Sequence, residues 1–285
     1  SSIYYLYGFF ICVFLLNRLL QDGRFSKFLS GASFSGICFL VVCYFFGLGE
    51  YKFPPRYNGF FNDPNQMAFW VLCCYSMFCL VVMERVGLKL VLFFACTLVV
   101  FASMSRSALV GLVLISAGVL FNLLAKPGGR RRSNGSLISK ILLVSVMLAG
   151  GVIFISSLGD VSQAMFDRFS DADLGEQADI RGYGRILNFP EYLVFGSGQG
   201  LDERFNSPVE IHSTWAGLFF YYGLFGLISF LIFVFLVMRR LSLDQNLIFL
   251  GPLFYSFSTF GLRSPIFWVF ACVAIFSGWR NSYGD

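Results

Sequence analysis

Charge is scarce in this chain. Only 13% of its 285 residues are Asp, Glu, Lys or Arg, about half the share of an ordinary soluble protein. That deficit excludes a typical cytosolic enzyme, a disordered chain and a nucleic-acid-binding module. Histidine is scarcer still: His212 is the only one, and it stands far in sequence from every cysteine, so the clustered Cys/His ligands of a zinc site are lacking. No long polar loop carries a cysteine. All eight (Cys12, Cys38, Cys43, Cys73, Cys74, Cys79, Cys96 and Cys272) fall in apolar runs, where they read as small buried hydrophobes. Internal repeats and low-complexity tracts are absent, and the N-terminus shows neither the charged n-region nor the small-residue cleavage site of a signal peptide.

Apolar residues take the place of charge, at 57% of the chain, with aromatics at 19%. This composition is that of an integral membrane protein. A helix crossing a bilayer core needs roughly 17 to 25 apolar residues. Nine runs free of charged residues are candidates: about 3–17, 28–49, 66–83, 90–105, 107–125, 141–159, 211–238, 245–262 and 264–279. Nothing between them alternates polar and apolar residues as barrel strands do, so the expected fold is all-α: a polytopic helical bundle of about nine spans. The organisation expected is six spans over 1–159, a long loop over 160–210, and three spans over 211–285. Ser1 opens the chain and the first run follows at once, a start read as a processed protein or, in preference, a fragment lacking earlier spans.

The connections alternate in charge. One set carries 13 of the 21 basic residues, including Arg18, Arg85, the run 130–132, Arg239 and Arg280. The positive-inside rule makes that set cytoplasmic. Segments 50–65, 103–106 and 160–210 and the turn at Arg263 then face outward. The loop 160–210 holds ten acids, and an external loop of that length is more often functional than a connector. No charged side chain falls mid-span, which counts against an ion-coupled transporter.

The outer surface gathers Arg56, Arg106, Arg181, Arg185, Arg263 and His212. Arginines at a membrane face either snorkel and pair with loop acids, or fork onto phosphate oxygens as a clamp for a diphosphate. On a straight helix His212, Ala216, Phe219, Gly223, Gly226 and Phe230 fall near one line, with small residues that would admit a neighbouring helix. His212 itself reads either as a satisfied polar residue at a helix start or as a base for an attacking hydroxyl. Trp215 and Tyr222, in an aromatic cluster, could stack on sugars or belong to an interfacial belt. Asp171-Ala172-Asp173 mimics a metal-binding D-x-D in a solvated acidic loop, Gly196-x-Gly198-x-Gly200 reads as a turn, and Asn134-Gly135-Ser136 is a glycosylation sequon on the cytoplasmic side.

Four elements, in order, carry a resemblance. Arg56 to Asn65 is similar to R-x-x-G-x-x-x-N-P-N, with Asp63 in place of the first Asn. Ser105-Arg106-Ser107-Ala108 is similar to S-R-G-A, with Ser107 for glycine. Phe195-Gly196-Ser197-Gly198-Gln199-Gly200 is a glycine-rich stretch, and His212-Ser213 with Gly223-Leu224-Phe225-Gly226 follows the pattern H-[NSQ]-x9-G-x-x-[GTY]. Together, over about 50–230, these resemble the bacterial O-antigen ligase and O-antigen polymerase superfamily.

The resemblance implies a GT-C-like architecture in the bacterial inner membrane, with the active site toward the periplasm. It implies a metal-independent, inverting glycosyltransferase without cofactor. The donor would be an undecaprenyl-diphosphate-linked oligosaccharide and the acceptor a glycan or lipid hydroxyl, among membrane lipids, without nucleic acid and with room for a chain-length regulator. His212 would be the catalytic base, and Arg106, Arg181, Arg185 and Arg56 would hold the diphosphate. The sequence leaves open a polymerase, a ligase to lipid A core and a protein O-oligosaccharyltransferase. A polysaccharide or lipid-linked sugar transporter is the alternative from another class.

Overall fold

In hydrocarbon the backbone must satisfy its own hydrogen bonds, and an uncharged run does so as a helix. The computed structural model describes residues 2–82, 85–125, 182–200, 202–205 and 210–283, with the isolated residues 156, 159, 163 and 167. Most of run 141–159, the basic run 130–132, Asn134-Gly135-Ser136, Asp171-Ala172-Asp173 and Arg181 lie outside the described residues. The other eight runs form helices: α1 (Ser2–Gln21), α2 (Arg24–Phe45), α3 (Pro64–Val81), α4 (Val86–Ser103), α5 (Arg106–Ala125), α7 (Thr214–Met238), α8 (Leu243–Tyr255) and α9 (Pro265–Tyr283), with a short α6 (Gly184–Asn188) in the loop. Among the described residues there is no strand, only isolated bridges in the α2–α3 connection. Four helices, α2, α3, α5 and α7, are long and apolar enough to cross a membrane. All eight cysteines are free thiols, and six of them are buried.

Helix α3 is the axis of the bundle. Its apolar window is 78% buried, and it packs against α2, α4, α5, α8 and α9. Asp63 caps it, accepting from the Asn65 amide, and Pro64 fills its first position. The acid at 63 therefore suits a helix start, where the positive end of the dipole favours a carboxylate. Helices α5 and α8 run in close contact. A Cβ at Gly111 would lie 2.9 Å from the Gly251 carbonyl oxygen, so both backbones depend on the missing side chains.

Two runs depart from a simple span. Run 245–262 is α-helical only to Tyr255, because the backbone beyond it bonds elsewhere. The Thr214 amide donates to the carbonyls of Ser256 (2.9 Å) and Thr259 (3.1 Å), while the Gly261 amide donates to Thr214 Oγ1 (2.9 Å). Residues 256–264 thus become irregular wall. In α7, Gly223 adopts φ 67°, ψ −168°, and the helix breaks there.

The glycine-rich stretch fills that break. Ser197 and Gly198 amides donate to the carbonyls of Phe220 and Tyr221 (2.9 and 3.0 Å), and the Leu224 amide donates back to Leu193 (2.8 Å). The carbonyls freed by the kink are thereby satisfied, the condition for a broken helix at membrane depth. A Cβ on Gly223 would collide with the Val194 carbonyl, and one on Gly196 with that of Tyr221. The single line from His212 to Phe230 is accordingly corrected. The helix starts at Thr214 behind the cap Ser213 and changes direction at Gly223, so Gly223 receives a loop rather than a neighbouring helix.

Candidate functional site

Four connections meet at one end of the bundle: 56–66, 104–106, 210–212 and 258–265. They enclose a cavity of about 850 Å³. These belong to the segments that the charge alternation assigns to one face. Arg56, Arg106 and Arg263 line the cavity with His212, Asp63, Glu210, Asn65 and Gln66, above an apolar floor that includes Phe69 and Trp70.

Local backbone contacts fix where these side chains enter the cavity. The Tyr57 amide donates to the Ala102 carbonyl (2.9 Å), which docks the α2–α3 connection on the end of α4. Arg56 Nε then donates to the Ser103 carbonyl and its terminal nitrogen to Asn65 Oδ1, both at 2.9 Å. Met104 turns the chain with φ 50° and starts α5 at Arg106. Buried Tyr255 braces this wall: its hydroxyl donates to the Asn65 carbonyl (3.0 Å) and lies 3.0 Å from Ser105 Oγ. No sequence signal marked Tyr255, an aromatic among many in apolar runs.

His212 is exposed between two fully buried neighbours, Ile211 and Ser213. The Ile211 amide donates to the Tyr221 hydroxyl (3.1 Å), and Ser213 Oγ accepts from the Ala216 amide (3.2 Å). The backbone at 212 is clamped on both sides while the imidazole faces the cavity. Glu210 pairs with Arg263 through both oxygens, at 2.5 and 3.0 Å. The Arg263 hydrogen bonds hold the Glu210 carboxyl below the usual carboxylate range, against the opposing effect of burial. Arg263 also packs 4.5 Å over the Phe260 ring. With its amide nitrogen donating to the Tyr222 hydroxyl (2.8 Å), Gln199 turns its oxygen to accept from Arg263.

Three of the expected residues, Arg56, Arg106 and His212, are therefore brought together. Arg185 is elsewhere: it is buried in an ion pair with Asp202 (2.7 Å), whose oxygen also accepts from the Tyr221 hydroxyl (2.8 Å). Trp215 stacks on Phe257 (5.2 Å) and donates to the Leu253 carbonyl (3.1 Å), and neither it nor Tyr222 is on the cavity wall. Arg263 and Glu210 complete the wall. As a turn residue and one of ten loop acids, they gave no sign in the sequence that they pair.

No family model matches the chain. No curated protein or solved structure matches it either. The cavity therefore has to be read from its own chemistry. Among the described residues no three His, Cys, Asp or Glu side chains group as a metal site. Three guanidinium groups against two carboxylates suit a ligand with several anionic oxygens. The imidazole adds a group able to donate or accept a hydrogen bond.

Proposed function

We propose that this chain is a bacterial inner-membrane glycosyltransferase, with nine spans in a GT-C-like bundle and its cavity toward the periplasm. It would move a glycan from undecaprenyl diphosphate to an acceptor hydroxyl, on another lipid-linked repeat, on lipid A core or on a protein. The observation that carries the reading is the convergence of Arg56, Arg106 and His212, from three distant segments, on one cavity large enough for a diphosphate and flanking sugars. They are three of the five residues to which the sequence resemblance gives a role, Arg185 being paired with Asp202 instead and Arg181 lying outside the described residues.

In the proposed step, the acceptor oxygen attacks the anomeric carbon of the donor sugar. His212 takes the hydroxyl proton as the new C–O bond forms. The bond from the anomeric carbon to the phosphate oxygen breaks, and undecaprenyl diphosphate leaves with the electron pair. Attack from the side opposite the leaving group inverts the anomeric centre. Arg56 and Arg106 would stabilise the charge that grows on the departing oxygen, with Arg181 a further candidate.

The test is reconstitution in liposomes with a defined undecaprenyl-diphosphate oligosaccharide, with and without lipid A core, read by gel and mass. A ladder on the carrier means a polymerase, and glycan on the core means a ligase. Full transfer by His212→Ala would sink the assignment. Binding and movement of the glycan without a new bond would replace it with transport.

A further inference from the structure

The segment 184–198 has one basic residue, Arg185, and that residue turns inward to Asp202. Its exposed side chains are apolar at Leu187, Pro190, Val194 and Phe195 and polar at Asn188 and Glu191. Leu187 is 82% exposed, Phe195 81%, and Val194 half-exposed. A patch of that kind on a water-facing loop is costly and marks a contact surface. What it meets follows from its neighbour, the second half of α7. Residues 224–238 carry no charge, and Leu224, Phe225, Ile228, Leu231, Ile232, Phe235 and Leu236 are all exposed there. That is the outer face of a helix apolar enough to cross a bilayer.

The two apolar surfaces are continuous. The Phe195 ring stacks on Phe225 with centroids 6.2 Å apart and planes 29° apart. The loop cannot lift away from α7 without breaking the hydrogen bonds that fill the break at Gly223. Length gives the same answer. Residues 224–238 rise roughly 22 Å at 1.5 Å per residue, short of a hydrocarbon core of about 30 Å. The first half of α7 is enclosed by protein, with Thr214, Ala216, Gly217, Leu218, Phe220 and Tyr221 buried. Val194 and Phe195, which meet α7 at Leu224 and Phe225, extend its apolar face past the break.

We propose that Leu187, Val194 and Phe195 sit among lipid acyl chains level with the top of α7, while the exposed Asn188 and Glu191 of the same segment stay in the headgroup and water layer. Four residues beyond Phe195, Gln199 reaches Arg263 on the cavity wall, so the loop that meets lipid also holds the site. The proposal stands independently of the glycan-transfer reading.

It is tested with p-benzoyl-phenylalanine placed singly at Leu187, Phe195, Phe225 and Glu203. The protein is reconstituted in vesicles of phosphatidylethanolamine and phosphatidylglycerol, irradiated, and analysed by mass. Phe225 is the lipid-facing reference, and Glu203 is an exposed polar position in the same loop. Phospholipid adducts at 187 and 195, within about three-fold of the yield at 225 and at least ten-fold above that at 203, are expected. Labelling at 225 without lipid adducts at 187 and 195 would overturn the proposal. A chain-to-chain adduct at 195 would also overturn it, by making this face a contact between two copies.

Discussion

The two ends of the bundle are built from similar side chains and serve opposite ends. At the far end, Asn122 of α5 donates to Asp244, whose other oxygen accepts from Ser242 Oγ (2.5 Å). Gln245 Nε2 donates to Ser277 Oγ (2.9 Å), and its oxygen accepts from Asn281 (2.5 Å). Asn122, Asp244, Gln245 and Ser277 are all buried. Polar groups there satisfy one another and close the gap between α5, α8 and α9. At the cavity end the polar groups are held by a mixture of backbone and side-chain partners, Arg56 by the Ser103 carbonyl and Asn65, Arg263 by Glu210, and the chain around His212 by the Tyr221 hydroxyl and the Ala216 amide. These guanidinium groups and the imidazole line the cavity wall. A network satisfied internally adds rigidity, whereas one braced from behind presents groups to a ligand.

The comparison breaks hardest at His212. His212→Ala is expected to lower transfer by about 10²- to 10⁴-fold with almost no change in thermal stability, because the side chain is exposed. Product formation in liposomes beside a melting curve in detergent decides it. Arg106→Ala should follow, with a loss of about 10²- to 10³-fold measured as kcat/KM against the lipid-linked donor. A fall in melting temperature that accounts for the lost activity would refute a binding role.

Gly223→Ala tests the seam between loop and helix. A side chain there combines left-handed strain of about 1–3 kcal/mol with a collision at Val194, so unfolding in detergent should show at least about 2 kcal/mol lost. Asn122→Ala, at the closed end, removes a donor from a buried carboxylate and should cost about 1–3 kcal/mol. Transfer per folded molecule should stay unchanged, and a ten-fold drop would erase the distinction between the ends.

The smallest effect is expected from Glu210→Gln. The wild-type carboxyl titrates below its ordinary value of 4.5 because of Arg263. Its stabilisation is therefore fully present above about pH 4.5 and is lost as pH falls through the lower folded-state value. For a partly exposed pair this is under about 1 kcal/mol. Melting temperatures of wild type and variant should differ slightly at pH 7 and converge in acid.

The helices were readable because an uncharged run of sufficient length has one solution in lipid. Arg56, Arg106 and His212 were readable because they stand in the motifs that carry the resemblance, in connections that the charge alternation assigns to one face. The rest depended on tertiary partners. Gly223 stood out in a motif and as a small residue for a neighbouring helix, but its break and its loop partner, more than twenty residues upstream, did not. Run 245–262 gave no sign that Thr214 takes over the carbonyls at 256 and 259. Arg185 shows the converse. Its charge and its place on the outer loop made it a candidate for the clamp, but Asp202 claims it. Position 63 departs from the family pattern, and its acid proves a good helix cap.

The seam at Gly223 also bears on the order in which the protein is made. Residues 193–198 leave the ribosome before α7, so the amides that will meet Phe220 and Tyr221 already exist when that helix is delivered to the bilayer. An assembly sequence of this kind never requires bare carbonyls to wait in hydrocarbon. Moving the loop behind α7 by circular permutation would reverse the timetable while leaving every contact in the finished protein available.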